Sequence, residues 1–469
     1  MFLCRDKELD ELNYRYDSEK FECIIVYGRR RVGKTALINE FCKDKKTIYF
    51  PALKDTERGN LESLSAAIQA YKNPEMAEGP VYSSFQSAFE EIGMLAKKER
   101  IIFVIDEYPY LAKSDNSISS RLQHLIDLKW NNSKMFLILC GSSVSFMEDE
   151  VLAYESPLYG RRTGQIHLQP LDYKETAEFN PDLDPVDNAM IYGITGGIPL
   201  YIQQLGVKKD LRSALLRNFF HPASYLFEEP ENLLKQELRE PGKYNAIIKA
   251  IAEGATKLGD VSSKTGIETA SCTAYLKTLS DLGIIKKETP IGQKEGRRSI
   301  YTISDPFFRF WYRFVPRNMG AIMTGRIEYT YQRAVEDYLH DFMRPIFEKI
   351  CGQFLMKYDT SLPINLNVVG RWWGTDPRNK KAIEIDLIGE SVKENALQKK
   401  EYIAGSCKFR NRETNMKDYK DLKEYSEVFS SEAEFHYCMF SVSGFTEDLK
   451  ALKEAHLRLI SIDQLYREP

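Results

Sequence analysis

Short apolar runs alternate with longer amphipathic stretches over the first 170 residues of the chain. The runs are Cys23–Tyr27, Thr47–Pro51, Ile101–Ile105, Phe136–Cys140 and Ile166–Leu168. Turn residues bound these runs and segments of helix length separate them, which is typical of buried strands in a parallel sheet joined by helical crossovers. The pattern therefore predicts an α/β domain built on a parallel sheet.

The rest of the chain contains three regions that differ in their predicted secondary structure. Residues 171–240 have a helical pattern, which Gly196-Gly197-Ile198-Pro199 interrupts. Residues 241–305 predict three helices and a hairpin: Tyr244–Glu253, Leu258–Thr265, Glu268–Leu282, then Ile284–Glu288 and Ser299–Ile303. This order and these lengths match an α+β winged helix. The aromatic segment Phe307–Phe314 then opens a last α/β region, so we expect domains at 1–170, 171–240, 241–305 and 306–469.

Composition narrows the class of protein. The 469 residues include 65 Lys and Arg against 68 Asp and Glu, which argues against a dominant polyanion-binding tail but allows a local basic face. The eight cysteines are scattered without a CxxC pair, which disfavours a cysteine metal cluster or a disulfide framework. No apolar run has the length of a signal peptide or a membrane span. We expect a soluble, cytoplasmic protein without a membrane partner.

The segment from Gly28 to Ala36 carries the most specific motif. It begins with a match to GxxxxGK[ST] and stands between a predicted strand and the predicted helix Thr35–Phe41. The glycines let backbone N–H groups point at phosphate oxygens, and the start of the helix favours the same anion. Lys34 is expected to reach the β- and γ-phosphates, and Thr35 to bind Mg²⁺. We predict ATP with Mg²⁺ as the ligand, held by Gly28, Arg29, Arg30, Arg31, Val32, Gly33, Lys34, Thr35 and Ala36.

The predicted strand Ile101–Ile105 ends in two carboxylates, Asp106 and Glu107. In P-loop ATPases such an acidic strand end meets the metal. Asp106 is expected to hold Mg²⁺ through water, and Glu107 to polarise the attacking water. The alternative is a polar strand end that serves only solubility.

Two later segments add candidates to the same site. Ser142 follows the strand Phe136–Cys140, which we expect between the two nucleotide strands, so its hydroxyl is a candidate for orienting the water or the γ-phosphate. Arg161 and Arg162 follow Gly160, and Arg161 is the candidate for stabilising transition-state charge, in its own subunit or in a neighbouring one. An ordinary surface role is the alternative for both arginines.

The order of these motifs resembles the archaeal-type ATPase family within the AAA+/STAND group of P-loop NTPases. Arg5-Asp6-Lys7-Glu8-Leu9 resembles the box that folds over the adenine in that family, which makes Arg5 a candidate nucleotide contact. Gly197-Ile198-Pro199 resembles the GxP motif of the helical lid, which implies Pro199 near the base. A helix-breaking turn is the alternative. The resemblance implies a P-loop ATPase core, a helical lid, a winged helix and a PD-(D/E)xK nuclease-like C-terminal domain.

The winged-helix segment is open to two interpretations. As a DNA-binding unit it would place a recognition helix in a groove and a basic wing on phosphates. The candidate contacts are Thr269, Ser271, Thr273 and Lys277 on the helix, and Lys286, Lys287, Lys294, Arg297 and Arg298 on the wing. The predicted helix is poor in Arg and Lys, however, and winged helices in STAND-like ATPases often serve as packing modules that sense the nucleotide.

The C-terminal region carries a second candidate site. Glu384 and Asp386 share one face of a predicted strand, Lys408 ends the next strand, and Glu348 lies on a predicted helix, Ala334–Leu355. Restriction-like nucleases hold Mg²⁺ with two carboxylates and use a lysine beside them. The chain departs from that pattern because Ser406 stands where the family has Glu. We therefore expect a nuclease-like fold and doubt its catalysis, and the basic stretch 408–412 is a candidate for holding a nucleic-acid backbone.

The leading hypothesis is an ATP-driven switch. Nucleotide binding and slow hydrolysis would reorganise the lid and the winged helix, and DNA would be a partner of the C-terminal half. One alternative is an ATP-controlled, metal-dependent DNA endonuclease that uses Asp386 and Lys408. The other is a signalling or assembly scaffold without nucleic-acid contact, in which ATP sets the state of a homo-oligomer.

Overall fold

The computed structural model describes residues 2–73, 75, 79–208, 210–392 and 400–467. Within this part the chain forms two compact units. The first comprises Met1–Leu171 and Ile198–Leu200, and the second comprises Asp172–Gly197 and Tyr201–Pro469. Among the described residues, no helix combines the length and the apolar character needed to cross a bilayer.

The first unit is built on a five-stranded parallel sheet in the order β2-β3-β4-β1-β5. The strands are β1 Glu22–Tyr27, β2 Thr47–Pro51, β3 Ile101–Asp106, β4 Met135–Gly141 and β5 Gly164–His167. The helices are α1 Asp6–Tyr16, α2 Lys34–Cys42, α3 Glu57–Lys72, α4 Phe85–Lys98, α5 Tyr108–Ser114, α6 Ile118–Leu125 and α7 Val144–Phe146, with π-helical turns at Ile126–Trp130 and Met147–Leu152. The predicted parallel α/β fold is confirmed.

The burial of the strands follows their position in this sheet. Every residue of β1, β3 and β4 is buried, because helices cover both faces of a central parallel strand. The edge strands β2 and β5 alternate between more and less buried residues. The apolar runs of the sequence are continuous for this reason, and the central strands place their carboxyl ends at one edge of the sheet.

The second unit begins with helices and ends in a mixed α/β region. Its helices are α8 Tyr173–Ala177, α9 Pro185–Thr195, α10 Pro199–Leu205, α11 Leu211–Asn218, α12 Tyr225–Glu237, α13 Pro241–Ala252, α14 Leu258–Thr265, α15 Thr269–Asp281, α16 Pro306–Phe314, α17 Met319–Met323, α18 Ile327–Ala334, α19 Leu339–Lys357, α20 Met416–Phe429, α21 Glu447–Lys450 and α22 Ile462–Tyr466. The first residues of α10 belong to the first unit. Strands β6 Ile285–Glu288 and β7 Ile300–Ile303 form an antiparallel hairpin after α13, α14 and α15, so these predicted elements are present.

The helix predicted over Ala334–Leu355 is present from Leu339 onward, and only its N-terminal part is wrong. Helix α18 ends at Ala334, a 3-10 turn covers Glu336–Tyr338, and α19 starts only at Leu339. The break occurs at Val335, which is completely buried and whose φ of −120° departs from the regular helical value of about −63°. Hydrophobic periodicity does not reveal this break, because an apolar residue such as Val335 also fits a continuous helix.

A second five-stranded sheet forms the C-terminal part, in the order β12-β11-β10-β9-β8. Its strands are β8 Leu366–Asp376, β9 Lys381–Ser391, β10 Glu401–Lys408, β11 Glu434–Ser441 and β12 Leu457–Ser461. Strands β8, β9 and β10 pair antiparallel, whereas β10, β11 and β12 pair parallel. Apolar residues of this sheet pack against helix α20 in a core of their own.

Candidate functional site

The P-loop follows β1 and depends on two glycines. Gly28 has φ of +150°, and a Cβ there would lie only 2.3 Å from the carbonyl oxygen of Leu168. Gly33 has φ of +96° and directly precedes helix α2. Such backbone angles favour glycine, and the missing side chain at Gly28 lets the loop close against the segment after β5. The loop wraps around the N-terminus of α2, as predicted for a phosphate-binding turn.

The side chain of Lys34 folds back over the start of the P-loop. Its side chain is almost fully buried, and Nζ donates to the carbonyl oxygens of Gly28 at 2.9 Å and Arg29 at 3.0 Å. Burial lowers the pKa of Lys34, since water no longer solvates the ammonium. A cation held by neutral carbonyl groups in this position is suited to a polyanionic ligand.

Asp106 and Thr35 meet at the carboxyl edge of the first sheet. The carboxylate Oδ2 of buried Asp106 accepts from Thr35 Oγ1 at 3.2 Å and from the Tyr49 hydroxyl at 2.5 Å. A hydroxyl and a carboxylate at this distance are the hard oxygen ligands that Mg²⁺ prefers, so these residues fit a nucleotide-bound magnesium ion. Tyr49 was not predicted, because its contact depends on β2 lying beside β3.

Glu107 is fixed by the neighbouring strand. It has φ of +52°, which is rare for a residue with a side chain, and Oε2 accepts from Ser142 Oγ at 2.8 Å and from Ser142 N at 3.3 Å. Strand β4 does lie between β1 and β3. The hydroxyl of Ser142 therefore contacts the candidate catalytic carboxylate in this structure.

Arg5 anchors the P-loop from outside. The residue is 6% exposed, and its NH2 group donates to the carbonyl oxygens of Val32 at 3.1 Å and Gln169 at 2.7 Å. Its NH1 group pairs with Glu8 at 3.2 Å. The guanidinium thus connects the start of α1 to the P-loop and to the segment after β5. A contact of Arg5 with adenine stays a prediction.

Three further residues that the sequence predicts for the nucleotide site have contacts of their own. Arg161 forms a two-fold ion pair with Asp127, at 3.1 and 3.0 Å, and is partly exposed. Arg30 donates to the Tyr110 hydroxyl at 2.6 Å. Pro199 starts helix α10 within the first unit, and Ile198 separates it from two glycines with positive φ. Roles of Arg161 in hydrolysis and of Pro199 in binding the base stay predictions.

The second unit holds a cluster of carboxylates around Arg371. The Nε atom of Arg371 lies 3.0 Å from Glu348 Oε2, its NH1 group lies 3.7 Å from Glu288, and its NH2 group pairs with Glu384. Burial raises the pKa of Glu348 to about 8, although Arg371 opposes the shift. Sequence analysis had not assigned a role to Arg371, and only the approach of α19, β8 and β9 reveals it.

Asp386 accepts three hydrogen bonds from β10. The donors to Oδ2 are Cys407 N at 2.7 Å, Lys408 Nζ at 3.2 Å and Ser406 Oγ at 3.3 Å. The structure therefore brings the predicted pair Asp386 and Lys408 together, with Ser406 on the same carboxylate. Asp386, Cys407 and Lys408 line one cleft of about 1140 Å³ together with the Arg371 cluster.

Comparisons with known proteins agree with this architecture. A family described as an ATPase domain predominantly from Archaea matches residues 2–205, and a family of archaeal and bacterial proteins of unknown function matches residues 311–420. An uncharacterized protein of Methanocaldococcus jannaschii is 31% identical over 411 residues, which are 85% of this chain and 90% of that protein. An uncharacterized ATP-binding protein of the same organism is 50% identical over 46 residues, 10% of this chain and 78% of that one.

A solved structure shows the same fold. The Walker-type ATPase of Pyrococcus abyssi is 21% identical and aligns with a TM-score of 0.52 over 66% of this chain and 96% of its own. The sheet, the P-loop and the paired Thr35 and Asp106 define the class as a P-loop ATPase that binds ATP. The long match to the M. jannaschii protein then settles the relationship. The chain belongs to the archaeal-type ATPase family.

Proposed function

We propose that the protein is an ATP-driven switch whose second unit holds a nucleic-acid backbone without cutting it. Magnesium-bound ATP occupies the P-loop, slow hydrolysis resets the site, and the change is transmitted to the C-terminal half. In this proposal, the segment from α13 to β7 is a winged helix. The C-terminal sheet belongs to a nuclease-like domain. Support for the nucleotide part comes from the contacts of Lys34, Thr35 and Asp106.

The first unit has the groups that phosphoryl transfer to water needs. Lys34 would exchange its two carbonyl partners for β- and γ-phosphate oxygens, and Thr35 with Asp106 would hold the magnesium ion. The ion supplies charge neutralisation on the phosphates. Glu107 accepts a proton from the attacking water once Ser142 releases its carboxylate. The Ser142 contact keeps the base occupied before that step, which favours slow turnover.

The cleft of the second unit is basic. Nine cationic side chains line it against five carboxylates. The cations are Lys286, Arg309, Arg313, Arg344, Lys349, Arg371, Lys408, Arg410 and Arg412, and the carboxylates are Glu288, Asp341, Glu348, Glu384 and Asp386. An excess of positive charge in a concave surface attracts polyanions even when the whole chain is almost neutral.

Arg309 is the observation on which the nucleic-acid part rests. Its guanidinium lies 5.1 Å from the centre of the Phe342 ring and forms no ion pair with a carboxylate among the described residues. Burial lowers the pKa of Arg309 to about 10. A desolvated cation in a cleft is costly unless an anion pairs with it. A backbone phosphate is an anion of the right charge and geometry for a guanidinium.

The carboxylates around Arg371 favour binding of a nucleic-acid backbone over its cleavage. Arg371 already provides the positive charge that a metal ion would bring to Glu348 and Glu384. Ser406 offers Asp386 a neutral hydroxyl where a second carboxylate would complete a magnesium site. The endonuclease alternative keeps one specific support, the contact of Lys408 with Asp386.

Exposed residues near the hairpin extend the proposed surface. The side chains of Thr269, Ser271, Thr273 and Lys277 on α15 are all exposed, which supports this part of the proposal. Lys294, Arg297 and Arg298 are exposed in the turn between β6 and β7. Lys286 and Lys287 pair with Glu288 and Glu295 on the hairpin itself, which leaves the turn as the more available phosphate contact.

The decisive experiment measures ATP hydrolysis with and without duplex DNA on wild type and Lys34→Ala. The proposal expects hydrolysis that depends on Lys34 and is altered by DNA. In fluorescence anisotropy, Arg412→Ala should lower the salt slope of DNA binding by about one, whereas Arg58→Ala, an exposed arginine of the first unit, should not.

Three other outcomes point elsewhere. Plasmid nicking that requires divalent metal and is abolished by Asp386→Ala would establish the endonuclease. No DNA binding at low salt, combined with an ATP-dependent change in mass, would establish a scaffold. Absence of binding to any magnesium nucleotide would overturn the nucleotide part as well.

A further inference from the structure

Two histidines meet on the C-terminal sheet, and they are not among the residues that line the basic cleft. His436 lies on β11, and His456 directly precedes β12. Their Nδ1 atoms are 3.2 Å apart. Glu434 precedes His436 by two residues and so shares its face of the strand, and the ligand atoms of the three residues all lie within 4.8 Å of one another.

The separation of the two nitrogens matches a shared metal ion. Two imidazole ligands of one tetrahedral Zn²⁺, each about 2.0–2.1 Å from the ion, place their nitrogens roughly 3.3 Å apart. The observed 3.2 Å agrees with this value. One proton shared between the two rings would explain the distance equally well, so the arrangement around each ring has to distinguish the two cases.

The surroundings of His436 favour a metal ligand. Its other ring nitrogen, Nε2, lies 3.7 Å from a carboxylate oxygen of Glu401 on β10. A carboxylate on that side attracts the ring proton to Nε2 and leaves the Nδ1 lone pair free to bind. Glu401 and Glu434 are register partners on adjacent strands, so the outer carboxylate and the ligating carboxylate are both fixed by the sheet.

We propose that Glu434, His436 and His456 bind one divalent transition-metal ion of the Zn²⁺ type, with Glu401 as the positioning residue for His436. Two nitrogens and one carboxylate suit such an ion, whereas Mg²⁺ prefers oxygen ligands alone. Glu434 and His456 are exposed, so the ion reaches the site from solvent, where water completes the coordination. The ion joins β11 to the residue before β12, which is the edge strand of the sheet.

The test uses the full chain after removal of metal with a chelator. Isothermal titration of wild type with Zn²⁺ is expected to show one site per chain, and Co²⁺ is expected to give the visible absorption of a tetrahedral complex. His436→Asn and His456→Asn should each abolish that site. Glu401→Gln should weaken Zn²⁺ binding by about tenfold to a hundredfold, as loss of an outer carboxylate partner does. Mg²⁺ should neither bind there nor compete.

A matched control and a folding check accompany these variants. His124→Asn removes an exposed histidine of the first unit and should leave the Zn²⁺ affinity and the Co²⁺ spectrum unchanged. Circular dichroism of the metal-free variants establishes that they are folded, and His456→Asn is the safer of the two because its side chain is exposed. Wild type without a stoichiometric site, or both histidine variants binding Zn²⁺ as wild type does, would overturn the proposal.

Discussion

Replacing Arg5 with Ala tests whether this residue secures the P-loop or contacts the base. The buried guanidinium donates to the carbonyl oxygens of Val32 and Gln169. A hydrogen bond from a charged donor contributes about 1.5–3 kcal/mol. Because water can replace part of the lost interaction, we expect Arg5→Ala to lower the free energy of unfolding of the first unit by about 3 kcal/mol, the lower end for two bonds.

The assay is urea denaturation followed by tryptophan fluorescence and circular dichroism, with nucleotide affinity measured in parallel. A loss of about 3 kcal/mol moves the midpoint by roughly 1–2 M urea. Affinities for ATP and GTP should fall by the same factor, since the variant changes the backbone that binds phosphate and leaves the base untouched. Arg58→Ala, whose arginine is exposed and pairs with Glu62 on its own helix, should shift stability by less than about 0.5 kcal/mol.

The opposite pattern would refute this reasoning. An unchanged midpoint with a selective loss of ATP over GTP would mean that Arg5 recognises adenine and that its two backbone contacts add little. Arg5→Lys separates charge from geometry. Lysine keeps the charge but cannot reach both carbonyl oxygens with one planar group, so it should recover less than half of the lost stability.

Three further changes have defined outcomes. Gly28→Ala places a methyl group 2.3 Å from the Leu168 carbonyl oxygen, so fluorescence titration should show loss of ATP binding in a protein whose circular dichroism is unchanged; retained binding would contradict the packing argument. Tyr49→Phe removes the hydroxyl that competes for Asp106 Oδ2, so the Mg²⁺ concentration for half-maximal ATPase activity should fall by up to about tenfold, and a rise would mean that Tyr49 assists the metal. Burial raises the pKa of Glu348 in the folded state from its ordinary 4.5 to about 8, so stability decreases as pH rises through that window, by at most about 1.4 kcal/mol per pH unit. Glu348→Gln should reduce this slope in denaturation experiments at several pH values, and an identical slope would show that other groups cause it.

Local patterns predict much of the first unit because the chemistry of its site is local in sequence. The five strands appear at or near the predicted positions, and the P-loop forms its turn from residues that are neighbours in the chain. Gly28 and Gly33 are recognisable because the required backbone angles restrict the residue type. Asp106 is recognisable for a different reason, because it is a carboxylate at the end of an apolar strand.

The residues that sequence analysis missed depend on long-range pairing. Tyr49 reaches Asp106 only because β2 pairs with β3, and the two residues are 57 positions apart. Arg371 reaches Glu348 only through the packing of α19 on β8. No periodicity in the chain encodes such contacts, since each strand would look the same beside a different neighbour.

Because Arg371 is part of the protein, the two units should differ in how they respond to the cellular level of free divalent cations. A guanidinium that is part of the polypeptide cannot be diluted, chelated or exchanged, so the acidic residues that Arg371 contacts should be insensitive to the level of free divalent cations. Under the proposed function, the P-loop, in contrast, gains its full affinity for ATP only with a diffusible magnesium ion. A low concentration of free Mg²⁺ should therefore weaken nucleotide binding, whereas the charge distribution of the C-terminal cleft should not change.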